Sequence, residues 1–173
     1  MSISFYDASV GAYLQVLDSV ANIMDKGANF CAEEGSIALE DVVTARLRED
    51  MMPFHFQIES VAHHSLGAIN GMRSGRFTPP SFAQDKNYTG LQGLISQAQE
   101  GLRALSEDEV NALADGRLIF ALGERELPFT NENFLLTFSL PNFYFHATTT
   151  YDILRMLGVG LGKMDFLGAI KVG

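Results

Sequence analysis

The amino-acid sequence predicts an all-α protein, a four-helix bundle with a small β-hairpin before the last long helix. Four long segments carry apolar side chains at spacings of three and four residues, which is the period of an amphipathic helix. One short segment changes to a β-rich pattern around a glycine turn. No internal repeat or linker divides the 173 residues, so we expect a single domain spanning 1–173.

The first two helices are bounded by residues that start and stop helices. The first is predicted to follow Asp7, a suitable N-cap residue, and to stop at Gly35. The second is predicted to open at Pro53, which a first helical turn tolerates, and to end before Gly75. A pair of prolines then predicts a loop over residues 76–81.

The second half of the chain contains a third helix, a hairpin and the last long helix. Apolar residues at helical spacing mark the third helix over residues 91–105. Between Gly116 and Thr130, two extended runs around a Gly-Glu turn predict the hairpin. The fourth helix is predicted to start after Thr130 or Asn131 and to run to about Leu157. We expect a kink or a break at Pro141, because proline cannot donate the helical hydrogen bond. The glycine-rich tail is expected to pack irregularly.

Composition and charge exclude several classes of partner. The net charge is −9 and no basic cluster is present, so we expect no binding to nucleic acid or to an anionic membrane surface. The sequence contains no run of about 18 apolar residues, so it predicts no transmembrane helix. The first residues lack the basic region and long apolar core of a signal peptide, so we expect a cytoplasmic protein.

Two polar side chains interrupt the apolar stripe of the last helix. Asn142 and His146 lie four residues apart, among positions that otherwise face the core. A buried polar group without a partner costs about 1–3 kcal/mol, so both side chains need hydrogen bonds. One interpretation is a polar pocket between helices. The other is a structural hydrogen bond, for example to the Thr137 carbonyl that Pro141 leaves free.

The second helix carries a further set of ionisable residues. His55, Glu59 and His63 follow each other at four-residue spacing, with His64 beside them. Such a face can bind a metal or perform acid–base chemistry. It can equally be a helix-surface ion pair at the edge of the apolar stripe.

Six segments of the chain together form a signature. They are Phe5-Tyr-Asp-Ala-Ser-Val10, Leu47-Arg-Glu-Asp-Met-Met-Pro-Phe54, Phe134-Leu-Leu, Leu140-Pro-Asn-Phe-Tyr-Phe-His146, Tyr151-Asp-Ile-Leu-Arg155 and Gly162-Lys-Met-Asp-Phe-Leu-Gly168. With Gln57, this set resembles the DinB/YfiT-like superfamily, and within it an uncharacterised branch described as a domain of unknown function. The resemblance implies an up-down-down-up bundle and a homodimer.

The resemblance also implies a metal site, from which this sequence departs. In the wider superfamily three histidines hold a divalent metal, one from the second helix and two from an H-x-x-x-H pair on the fourth. Here Asn142 stands where the first histidine of that pair is expected. Asparagine is a weak ligand for zinc. The remaining candidates for zinc or nickel are His146, His63 and His55, and this ligand set looks incomplete.

Two functions from different classes follow. The first is a homodimeric bundle whose polar inter-helix pocket binds a small molecule, with Gln57, Asn142, His146 and Tyr151 as candidate ligand-binding residues. The second is a divalent-metal-dependent transferase or hydrolase of the DinB-like kind with a degenerate histidine site. The sequence does not give a substrate, and it leaves open whether the protein is an enzyme.

Overall fold

Seven helices and three strands lie in the part of the chain that the computed structural model describes, residues 3–35, 37–80, 86–170 and 172. The bundle helices are α1 (a π-helical turn at Asp7–Gly11 and Ala12–Glu34), α3 (Phe54–Ala62, a π-helical turn at His63–Gly67, and Ala68–Ser74), α4 (Tyr88–Arg103) and α6 (Asn131–Phe134, a π-helical turn at Leu135–Ser139, and Leu140–Met156). The short helices are α2 (Leu39–Thr44), α5 (Glu107–Asn111) and α7 (Lys163–Leu167). The strands are β1 (Arg76–Phe77), β2 (Arg117–Leu122) and β3 (Arg125–Thr130). The predicted four-helix bundle with a hairpin before its last long helix is confirmed.

The ends of the helices follow the predicted signals, with one correction. Helical backbone already begins before Asp7, so Asp7 is not the N-cap residue. Ser4 caps this end instead: its hydroxyl accepts from the Asp7 backbone N–H and donates to the Asp7 carboxylate, at 3.0 and 2.7 Å. At the other ends, Gly35 and Gly75 adopt left-handed φ values of 62° and 73°, which terminate α1 and α3.

The contacts between the long helices give the predicted up-down-down-up arrangement. Early residues of α1 meet late residues of α4, so these two helices are antiparallel; α3 and α6 are antiparallel for the same reason. In contrast, α1 runs parallel to α6, and α3 runs parallel to α4. The α1–α4 contacts are Asp18 with Arg103 and Asp25 with Gln92, and the α3–α6 contacts are Gln57 with His146 and His64 with Ser139. The α1–α6 contacts are Tyr13 with Ser139 and Gly27 with Leu154, and the α3–α4 contacts are Phe54 with Tyr88 and Leu66 with Gly101.

Pro141 neither breaks nor splits the last long helix. A π-helical turn over Leu135–Ser139 lies directly before it, and in this turn the Leu140 N–H bonds to the Leu135 carbonyl. Ser139 and Leu140 keep right-handed helical backbone, so the helix continues through Pro141, and the π-helical turn stands where the proline lacks its N–H. The wider turn therefore absorbs the proline that the sequence predicts to kink or break the helix.

The small sheet contains one strand more than the sequence predicts. Strands β2 and β3 form the expected antiparallel hairpin. Residues 76 and 77, predicted as loop, form β1 and pair in parallel with β2, and Ile119 N–H bonds to the Gly75 carbonyl at 2.9 Å. A two-residue strand carries too little side-chain pattern to be recognised, and its pairing partner lies 43 positions away (Arg76 with Ile119). The tail is also more regular than predicted, because α7 forms and packs on α1.

Two glycines in the bundle allow a matched test of helix packing. A Cβ at Gly27 on α1 would lie 2.7 Å from the Tyr88 hydroxyl and 3.2 Å from Leu154 Cδ2, whereas one at Gly93 on α4 would meet nothing within 4 Å. We expect Gly27→Ala to lower the free energy of unfolding by about 1–3 kcal/mol through overpacking. We expect Gly93→Ala to raise it by about 0.5–1 kcal/mol through helix propensity. Urea denaturation of both variants measures this, and equal shifts would contradict the tight α1–α4–α6 packing.

Candidate functional site between α3 and α6

A hydrogen-bonded pair joins α3 to α6 at the residues singled out by the sequence. His146 Nδ1 lies 2.7 Å from Gln57 Oε1, and Gln57 Nε2 donates to the Met52 carbonyl at 2.8 Å. Since a carbonyl can only accept, the Gln57 amide nitrogen must face Met52, and the amide oxygen must face the histidine. His146 Nδ1 therefore carries the proton. In the neutral ring, Nε2 is left as an acceptor.

The free nitrogen of His146 keeps contact with solvent. It makes no hydrogen bond to any described residue, and it does not belong to the fully buried polar atoms without partners. Burial of the ring lowers the pKa of His146 to about 4, so the ring is neutral near pH 7. The arrangement is that of a fixed neutral imidazole whose acceptor nitrogen points away from its anchoring amide.

Aromatic rings surround His146. Phe56 and Phe145 meet it edge-on, at centroid distances of 5.6 and 5.3 Å. The His64 ring stacks on it at 6.0 Å with an interplanar angle of 15°. His146 Nε2 is therefore a single hydrogen-bond acceptor among aromatic rings.

His64 belongs to this site, although the sequence gives it no special role. Its side chain is buried, and its Nδ1 has no hydrogen-bond partner among the described residues. Burial lowers the pKa of His64 to about 3, assisted by the neighbouring His63 and His146. In the sequence, His64 falls next to the H-x-x-x-E-x-x-x-H set rather than in it. The signal in the sequence that could have identified His64 is its position one residue after His63, about 100° further around the helix.

Asn142 and Tyr151 do not join the Gln57–His146 pair. Asn142 Nδ2 donates to the Phe138 carbonyl at 2.7 Å, within its own helix. This is a structural bond of the predicted kind, but it reaches the carbonyl of Phe138 rather than that of Thr137. Tyr151 lies on the opposite flank of α6 and packs edge-on against Phe166 of α7, at 6.2 Å. Five residues along a helix correspond to one full turn plus about 140°, so Tyr151 and His146 lie on different faces of α6.

The candidate metal ligands are dispersed. His63 Nε2 donates to the Thr78 carbonyl at 2.7 Å, and its ring packs on Phe77. His55 is buried beside Glu59, with Nδ1 3.8 Å from Oε2, and makes no contact with His146. Within the described ranges, no group of three His, Cys, Asp or Glu side chains is arranged to hold a metal ion. The donor set around His146 therefore does not fit a three-histidine centre.

A family model described as a domain of unknown function, DUF1993, matches residues 5–167. The chain belongs to this family. The crystal structure of a DinB family member from Shewanella denitrificans is similar in fold, with a TM-score of 0.80 at 24% identity, over 97% of this chain and 94% of that one. No functionally curated protein matches the DUF1993 chain. No described helix is long and apolar enough to cross a membrane.

The buried histidines make the stability of this DUF1993 protein depend on pH. The pKa of His64 is depressed to about 3 from an ordinary 6.5, so between these values the unfolded chain binds more protons than the folded one. The stability that neutral His64 contributes is present above pH 6.5 and is lost as the pH falls toward 3. From about pH 7 to about pH 5 we expect the free energy of unfolding to fall by about 1–2 kcal/mol more in the wild type than in His64→Phe.

Urea denaturation of both proteins at the two pH values measures this difference. The comparison cancels the contribution of the carboxylates, which the two proteins share. An identical pH dependence would show that His64 is not held neutral by burial.

Proposed function

We propose that the protein is a homodimeric, cytoplasmic helical bundle that binds a small molecule at His146. The ligand is a neutral molecule with an aromatic ring and a hydrogen-bond donor. The observation that carries this proposal is the Met52–Gln57–His146 chain of hydrogen bonds, which makes Nε2 a fixed acceptor. Within the described part of the chain, His146 bonds through one ring nitrogen, which leaves the other available to a ligand.

The surroundings of His146 support the ligand class. The rings of Phe56 and Phe145, which flank His146, offer apolar surface to an aromatic ligand. A charged ligand would lack a counter-charge, because His146 is neutral near pH 7 and its partner Gln57 is an amide. A phenolic hydroxyl could donate to Nε2 while its ring packs between the aromatic side chains.

Phenol and anisole provide a matched pair of probes for this site. Both are monosubstituted benzenes, but only phenol has a hydrogen-bond donor. We expect phenol to shift the ¹⁵N resonance of His146 Nε2, with a Kd on the order of 1 mM, and anisole to bind at least about fivefold more weakly. In His146→Ala the preference for phenol disappears. Equal binding of the two probes would refute the acceptor role of Nε2.

A divalent-metal-dependent transferase or hydrolase is the second candidate. One feature favours it: a histidine that binds metal through one nitrogen commonly donates the other N–H to a carbonyl oxygen, as His146 does to Gln57. The dispersed positions of His55 and His63 count against it. Zinc or nickel titrated into the same labelled protein distinguishes the two candidates. Saturable metal binding that is lost in His146→Ala would favour the metalloenzyme.

The outward side of α6 supports the homodimer. From Asn133 to Tyr151 the sequence contains no Asp, Glu, Lys or Arg. Leu136, Tyr144 and Phe145 remain 58%, 40% and 57% exposed. A second copy fits this surface, because two molecules of net charge −9 repel least where an uncharged face meets an uncharged face.

A single charge in this face should separate the subunits. We expect Leu136→Arg to shift the protein from dimer to monomer, because pairing through a two-fold axis would bury two unpaired guanidinium groups. Met164→Lys is the matched control, since Met164 is 60% exposed but lies on α7. Sedimentation velocity measures both variants. A wild-type monomer, or a dimer that persists in Leu136→Arg, would contradict the proposed interface.

A further inference from the structure

A groove on the other side of α3 has no part in the site at His146. It lies between α3 and α4, has a volume of about 590 Å³, and is open to solvent. Its floor is apolar and includes Leu66 and Leu94. Its polar lining consists of Glu59, His63, Asn70, Thr78, Lys86 and Gln97.

Glu59 is an unusual residue to find in the wall of a groove. It is only 9% exposed, and its carboxylate accepts no hydrogen bond from any described residue. Oε2 is fully buried and faces His55 Nδ1 at 3.8 Å, beyond hydrogen-bond distance. Oε1 lies 3.7 Å from Lys86 Nζ, which is also too far for a hydrogen bond. A buried carboxylate is usually satisfied by several donors, whereas Glu59 Oε1, on the groove side, has only the Lys86 ammonium at 3.7 Å as a partner among the described residues.

His63 adds a second acceptor to the same groove. Its Nε2 lies 2.7 Å from the Thr78 carbonyl, so Nε2 carries the proton and Nδ1 is the acceptor. Burial lowers the pKa of His63, which keeps the ring neutral. Gly67 lies beside this nitrogen, and a Cβ at Gly67 would come within 3.2 Å of Nδ1. The absence of a side chain at Gly67 keeps the acceptor open.

We propose that the α3–α4 groove binds the ammonium group of a small amphipathic amine. The ammonium would donate to Glu59 Oε1 and to His63 Nδ1, and the hydrocarbon part would lie on Leu66 and Leu94. An ammonium carries three donors and no acceptor, which complements a carboxylate and a neutral imidazole. Lys86 is the charge that an amine must compete with, and at 3.7 Å its ammonium holds Glu59 without a hydrogen bond. The net charge of −9 also attracts cations to the protein.

This amine site is independent of the proposed function. Gln57 and Glu59 stand two positions apart on α3, about 200° around the helix, so they serve opposite sides. The side with Gln57 meets α6 at His146, and the side with Glu59 meets the groove shared with α4. Variants at one site therefore test it without removing the other.

Hexylammonium and 1-hexanol are matched probes for the groove. They share a hydrocarbon chain, but only the amine is charged. We expect hexylammonium to shift the amide resonances of Gly67 and Leu94 in the full-length protein, with a Kd on the order of 1 mM. Glu59→Gln should weaken this binding at least about tenfold, because it removes the charge while keeping the shape. Gly67→Ala should weaken it as well, by filling the space beside His63 Nδ1.

Control variants separate the groove from other binding. Glu33→Gln removes an exposed carboxylate of α1 and should leave hexylammonium binding unchanged. His146→Ala should also leave it unchanged while it abolishes the preference for phenol. Equal affinity for 1-hexanol, or equal affinity in Glu59→Gln, overturns the proposal, as does the absence of saturable shifts around Gly67. Because Glu59→Gln removes a buried charge that lacks hydrogen bonds, the variant should fold, and its amide spectrum verifies this.

Discussion

The bundle depends on a short chain of buried hydrogen bonds that joins three helices through Ser139. The Ser139 hydroxyl donates to the His64 carbonyl at 2.7 Å and lies 2.7 Å from the Tyr13 hydroxyl. Since the serine proton goes to the carbonyl, the tyrosine must be the donor to serine. The bond from Ser139 to the His64 carbonyl links the π-helical turn of α3 to that of α6. Burial raises the pKa of Tyr13 above its usual range, so the phenol stays protonated and keeps donating.

One of these turns lies directly before the proline of α6. Pro141 removes one backbone donor from α6, and the wider turn over Leu135–Ser139 accommodates it. This turn alters the rotation between the part of α6 before the proline and the part after it. Ser139 is buried in the core, and His146, two turns later, bonds to Gln57 on α3. The polar pair of Gln57 and His146 is tolerated here because the two side chains bond to each other and His146 Nε2 contacts solvent.

The candidate metal site shows how spacing along a helix differs from proximity between helices. His55, Glu59 and His63 share a four-residue spacing, but two turns separate the histidines by about 12 Å along the axis. His63 is bound to the loop after β1, and His55 lies beside Glu59. A metal centre needs ligands that converge from different helices, and the polar side chains of α3 that approach His146 in the described part of the chain are Gln57 and His64. The histidine that stacks on His146 is thus not the one that the spacing favoured.

The sequence by itself determined the helices, the hairpin and the inward-facing position of His146, which bonds to Gln57. Periodic apolar residues, stop glycines such as Gly35 and Gly75, and the Gly-Glu turn act locally, so they can be recognised without a structure. Tertiary structure alone decided which polar groups meet. The parallel pairing of β1 with β2, the Ser139 link to His64, and the unsatisfied carboxylate of Glu59 all depend on the relative rotation of packed elements. That rotation is decided by contacts between residues far apart in the sequence, so no local pattern of apolar residues records it.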